Sequence, residues 1–127
     1  MESNLTIEEV SCRTGLTAYT LRYYERIGLI APVSRASGGQ RRYSAADLAW
    51  IAFLLRLRTT KMPIHKMLVF AKLRGAGDCT VPDRRQMLEE HLVGVLSEIE
   101  KMRLAASALQ EKIEHYHQLE RSPSTGN

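Results

Sequence analysis

Thr17-Ala18-Tyr19-Thr20-Leu21-Arg22-Tyr23-Tyr24-Glu25-Arg26-Ile27-Gly28-Leu29 is the stretch on which the reading of this chain turns. Capped by Thr17 and wound at about 100° per residue, it places Ala18, Leu21 and Tyr24 on one side of a helix and Tyr19, Tyr23 and Arg26 on the other. The second set stands at i, i+4 and i+7, with Arg22 on its flank, so the outward face offers two phenolic hydroxyls and two guanidinium groups. Such groups grip phosphates and read base edges in a groove. In isolation the same residues also suit a helix with its tyrosines in the core and its arginines in solvent. The flanking sequence separates the two readings.

Upstream, Thr6-Ile7-Glu8-Glu9 fits a capping box that opens a short helix running to about Arg13. Gly15 stops it and Thr17 begins the next. Two short helices around a Gly-containing turn, with Val10, Leu16 and Leu21 as their shared core, have the layout of a helix-turn-helix whose second member reads DNA. Downstream, Gly28 and Pro32 close that helix, and Arg35-Ala36-Ser37-Gly38-Gly39-Gln40-Arg41-Arg42-Tyr43 follows. Ser-Gly-Gly supplies the positive φ angles of a tight turn, so a small β-hairpin is predicted. It resembles a wing, with Arg41 and Tyr43 on one face and Arg42 on the other. A flexible charged loop is the alternative that Gly-Gly alone leaves open.

Ser44-Ala45-Ala46-Asp47 is a second capping box, opening a helix from about Ala45 to Thr60. Leu48, Ile51, Leu54 and Leu55 follow helical spacing and make it the backbone of the core, completed by Trp50 and Phe53. Pro63 suits the first position of a further helix that carries Met67, Leu68, Phe70, Ala71 and Leu73 and stops at Gly75. Arg58 and Lys61, near the junction, form a second basic lobe. The break Gly75-Ala76-Gly77-Asp78-Cys79 marks a domain boundary, and Thr80-Val81-Pro82-Asp83 reads as a third capping box. Beyond it Leu88, Leu92, Val95, Ile99, Met102, Ala106, Leu109, Ile113 and Tyr116 alternate steps of four and three. This is an a/d seam about 43 Å long at 1.5 Å per residue. A domain of some seventy residues cannot cover so long a stripe, so it needs a partner helix, most simply its own copy. The organisation is therefore a DNA-binding domain over residues 1–75, a linker at 76–80, a dimerisation helix at 81–119 and a disordered tail at 120–127.

Charge follows the same division. Residues 1–74 carry twelve Lys and Arg against five Asp and Glu, a balance of +7, whereas residues 75–127 carry six against nine, a balance of −3. A polyanion partner at the first end fits this asymmetry. The longest apolar run, Leu48 to Leu55, is far short of the roughly twenty residues of a membrane span, and Met1-Glu2-Ser3-Asn4 has no leader character. No membrane partner and a cytoplasmic location are expected. Cys12 and Cys79, with 66 residues between them, do not make a disulfide framework.

Leu21-Arg22-Tyr23-Tyr24-Glu25-Arg26-Ile27-Gly28-Leu29, then Arg41-Arg42-Tyr43-Ser44 and the Asp47-Leu48 helix start, resemble the MerR family of bacterial transcription regulators. The match runs from about Leu5 to Tyr116. It implies a mostly α fold, with a winged helix-turn-helix domain on a long antiparallel coiled-coil dimerisation helix. It implies a homodimer that binds a pseudo-palindromic spacer between promoter elements and activates RNA polymerase by bending and untwisting that DNA. Carried over, Thr17, Tyr19, Thr20, Arg22, Tyr23 and Arg26 fall on the recognition helix, Gln40, Arg41, Arg42 and Tyr43 in the wing, and Arg58 and Lys61 in the second basic lobe. Tyr24 turns toward the core and is left out.

The metal-sensing branch of that family has a ligand near Cys79 and further cysteines after the long helix. Here only His91, His115 and His117 follow Cys79, and the last two diverge on a helix, so no metal site and no cofactor are expected. The short aldehyde- and thiol-stress branch is the nearer resemblance, although Ala52 to Thr60 lacks the cysteine common there. Cys79 reads first as an inert linker residue, with a sensor thiol at the start of the long helix as the alternative, and Cys12 is expected to be a packed core thiol. An enzyme built on Cys79 and His91 lacks an oxyanion site, so no catalytic residues are assigned. A competing function is an architectural DNA binder without effector-dependent activation.

Overall fold

The computed structural model describes residues 4–122. Helices α1 (Ile7–Thr14) and α2 (Ala18–Arg26) are followed by strands β1 (Ser34–Arg35) and β2 (Arg41–Arg42). Helices α3 (Ala45–Thr59) and α4 (Ile64–Gly75), a 3-10 turn (Asp78–Thr80) and α5 (Val81–Arg121) complete the order. The chain divides into a compact unit up to Met87 and a second unit from Leu88. Among the described residues no helix is long and apolar enough to cross a membrane.

Local chemistry sets the first boundaries. The Thr6 hydroxyl accepts the Glu9 N–H at 3.1 Å while the Glu9 carboxylate accepts the Thr6 N–H at 3.0 Å, which completes the box that starts α1. Gly15 ends it at φ 78°, a left-handed angle that costs glycine nothing. Ser44 and Asp47 repeat the reciprocal pair at the start of α3. Pro63 precedes α4 as its N-cap, one residue earlier than the first-turn position expected of it.

The hairpin pairs Ser34 with Arg42 and Arg35 with Arg41, antiparallel, around a turn whose Gly39 has φ 87°. Leu5 adds a third pairing from the N-terminal side, exchanging both backbone hydrogen bonds with Tyr43 at 2.8 Å. Val10, Leu21, Ile51 and Leu54 are almost wholly buried, so α1, α2 and α3 meet on one apolar centre. Leu57, Leu29, Ile30, Val33 and Met62 join it. Beside it Trp50 stacks on Phe70 with centroids 6.0 Å apart, and its indole N–H donates to the Leu29 carbonyl at 3.0 Å.

Two expectations fail here. Thr80 is buried, but its hydroxyl donates to the carbonyls of Leu73 and Gly77 and accepts from Arg84 Nε, so it ties the chain back to α4 instead of forming a capping box. That attachment explains why the first unit extends past residue 75. Cys12 is exposed, because only Val10 of α1 is fully buried. Of the tail, Glu120 and Arg121 are helical, and Pro123 to Asn127 lie outside the described residues.

Candidate nucleic-acid interface

α2 divides its side chains as amphipathic geometry requires. Leu21 and Tyr24 are buried, whereas Tyr19 is 69% and Tyr23 37% exposed, and Arg22 and Arg26 are exposed beside them. The Arg26 guanidinium lies 5.4 Å from the centroid of the Tyr23 ring, a cation–π distance that restrains both. Thr17 caps the helix by accepting the Thr20 N–H at 3.0 Å, and its hydroxyl donates to that of Thr20 at 2.9 Å. These two threonines therefore fix the start of the helix whatever else they touch. Tyr19, Arg22, Glu25, Arg26, Pro32 and Arg41 line a cleft of about 510 Å³ between α2 and the hairpin. A cleft walled by four arginine and tyrosine side chains, with a single carboxylate, suits a polyanion edge.

The wing differs from expectation in two ways. Tyr43 is 1% exposed, and its hydroxyl has no hydrogen-bond partner among the described residues, so it is a core residue and not part of the contact surface. Pairing with Leu5 turns its ring inward, and burial pushes its phenol above the usual range. Arg41 does not project freely either. Its Nε donates to Glu25 Oε1 at 2.5 Å, and both side chains are largely covered. Gln40 stays exposed and Arg42 is half-buried. Arg35, which the sequence reading passed over, braces the turn through a 3.0 Å hydrogen bond from Nη1 to the Gly39 carbonyl.

The second lobe sits at the end of α3. Arg58 is exposed overall, yet one guanidinium nitrogen donates to the Tyr24 hydroxyl, which ties this lobe to α2. Lys61 is exposed and has φ 66°, the only positive φ outside glycine among the described residues. Residues of that kind hold a strained angle only where the surroundings impose it. Glu25 is the member of this surface that sequence reasoning missed. The clue was present: it is the only acid on α2, facing an arginine-rich hairpin.

Farther along, the Cys79 thiol is exposed and lies 3.8 Å from the Ala76 carbonyl oxygen. No cluster of three His, Cys, Asp or Glu able to hold a metal occurs among the described residues. On α5 the side chains of Leu92, Ile99, Met102, Leu109, Ile113 and Tyr116 are all more than half exposed, and Leu88 and Val95 are partly covered.

Comparison with known proteins agrees with this geometry. The model of the MerR family regulatory protein matches residues 6–43. The chain is 41% identical over 86 residues to the HTH-type transcriptional regulator AdhR of Bacillus subtilis, a match spanning 68% of this chain and 61% of that protein. A crystal structure from Listeria monocytogenes, described as a MerR family transcriptional regulator, superposes with a TM-score of 0.83 at 35% identity, over 89% of this chain and 86% of that one. HiNmlR, a MerR family regulator lacking the sensor domain and bound to promoter DNA, has a TM-score of 0.83 at 29% identity and covers 98% of this chain and 97% of its own. With the capped helix pair, the outward tyrosines and arginines of α2 and the hairpin beside them, these likenesses establish that the chain belongs to the MerR family of DNA-binding transcriptional regulators.

Proposed function

We propose that the chain acts as a homodimer on double-stranded DNA. Two copies of α5 pair through the stripe from Leu88 to Tyr116 and hold two α2 helices over the half-sites of a pseudo-palindromic promoter element. Regulation then works by distorting the spacer that RNA polymerase must read, with protein contacts offsetting the deformation energy of the duplex. The observation that carries the dimer is the exposure of six large apolar side chains in register along α5. A continuous apolar stripe of this length left in water is unfavourable, and a second copy supplies a matching stripe by symmetry.

The contacts that carry DNA binding are Tyr19, Arg22, Tyr23 and Arg26 on α2, with Gln40 and Arg42 from the wing and Lys61 from the second lobe. Support comes from the exposure of Tyr19, Arg22, Tyr23, Arg26, Gln40 and Lys61, with Arg42 half-buried beside Gln40, and from the promoter-bound state of HiNmlR. Arg22→Ala and Tyr23→Ala are expected to weaken binding to a duplex selected by the wild-type chain by roughly ten- to a hundredfold each. The oligomeric state should not move, and both variants should still unfold cooperatively, with a melting temperature lowered only in Tyr23→Ala, whose ring is mostly covered. Unchanged affinity at fixed salt for both variants would remove α2 from the reading role.

A further inference from the structure

Glu25 is the only acid on α2, and it lies in a cleft that otherwise presents cations. A carboxylate there repels phosphate, so on electrostatic grounds alone it weakens DNA binding. Both of its oxygens are nevertheless committed. Oε1 accepts from Arg41 Nε at 2.5 Å, and Oε2 accepts the Val33 backbone N–H at 3.3 Å. Val33 immediately precedes β1 and Arg41 begins β2, so one side chain on the recognition helix grips the hairpin at its entry and on its return strand. The pair is well covered, at 21% exposure for Arg41 and 11% for Glu25, which makes it stronger than a surface ion pair.

We infer that Glu25 and Arg41 are positioning residues, a clasp that sets the wing against the recognition helix, and that Arg41 serves DNA binding through this clasp and not as a phosphate contact. The inference rests on the DNA-binding reading above. Arg35 is exposed and gives the Gly39 carbonyl a single Nη1 hydrogen bond, so it and Arg42 are the wing arginines left to meet phosphate. The effect of removing Glu25 has a sign that separates the possibilities. If Glu25 only contributes charge, its loss tightens binding to DNA. If it holds the wing, its loss weakens binding even though a negative charge has gone.

The test uses the full chain and a duplex selected by the wild-type chain from a random pool. Glu25→Ala and Arg41→Ala should each weaken binding by roughly tenfold, and the double variant should be no worse than either single one. The dependence of log affinity on log salt should keep the wild-type slope in Arg41→Ala, whereas a lost phosphate contact lowers it by about one. A lowered slope, or Glu25→Ala binding as tightly as wild type or more so, overturns the inference. Amide exchange at Val33 in the free protein gives a readout without DNA: protection should fall in both single variants, and unchanged protection in Arg41→Ala overturns the clasp. Should either alanine variant fail to fold, Glu25→Gln keeps the shape and one acceptor oxygen and is put through the same two measurements. A wild-type chain that selects no duplex refutes the DNA-binding reading, and the Val33 exchange still judges the clasp.

Discussion

Ile99→Ala separates the stability of the dimer from that of the fold. Ile99 is 57% exposed in the single chain, so it contributes little there. Fully burying an isoleucine stabilises by about 1.5–3 kcal/mol, so covering the remaining surface and losing all but the β-carbon amounts to about 1 kcal/mol per copy. Each dimer contains two copies, and the loss is about 2 kcal/mol, or about thirtyfold in the dimer dissociation constant. Leu104 is a matched control. It is 56% exposed but lies about 160° round the helix from Leu88, away from the seam. Sedimentation velocity over a concentration series should show the Ile99→Ala midpoint shifted upward and Leu104→Ala unchanged, with the urea midpoint of the first unit constant in both. Equal shifts for the two variants, or none for either, would refute the assignment of the seam.

The remaining predictions concern the first unit. Tyr43→Phe removes a buried hydroxyl that has no partner among the described residues, so stability should be unchanged or rise by about 1 kcal/mol. Operator affinity should stay within a factor of about two, because an inward ring does not touch DNA; a clear loss of affinity in a stably folded variant would return Tyr43 to the contact surface. The Glu9 carboxyl is held below the usual carboxylate range, first by the Thr6 backbone N–H and then by the Thr6 hydroxyl. A depressed folded value means that this stabilisation is fully present above the ordinary carboxylate range and disappears as pH falls through the depressed value. Urea midpoints should therefore show wild type losing its advantage over Glu9→Gln on acidification, and parallel acid profiles would contradict that role.

Local chemistry made much of this fold legible. Thr6 with Glu9, Gly15, Thr17, and Ser44 with Asp47 set helix ends through bonds spanning three or four residues, and the outward set on α2 followed from its period alone. What sequence missed depends on residues far apart in the chain. Glu25 and Arg41 are sixteen positions apart, and Tyr24 and Arg58 thirty-four, so neither pairing is visible in a local window. Tyr43 was misplaced for a related reason. Strand alternation separates Tyr43 from Arg42, but it does not say which side is covered, and the bridge from Leu5 goes with the burial of the Tyr43 ring. Thr80 looked like a cap because Asp83 follows at the right spacing, yet two carbonyls at the end of α4 and its neighbouring turn took its hydroxyl instead.

Two copies of the chain are expected to engage one duplex. Sedimentation equilibrium of the protein mixed with a selected duplex, at protein concentrations near the binding midpoint, measures that directly. The expected mass is two chains per duplex with no accumulation of a one-chain complex; a complex that saturates at one chain per duplex would contradict it.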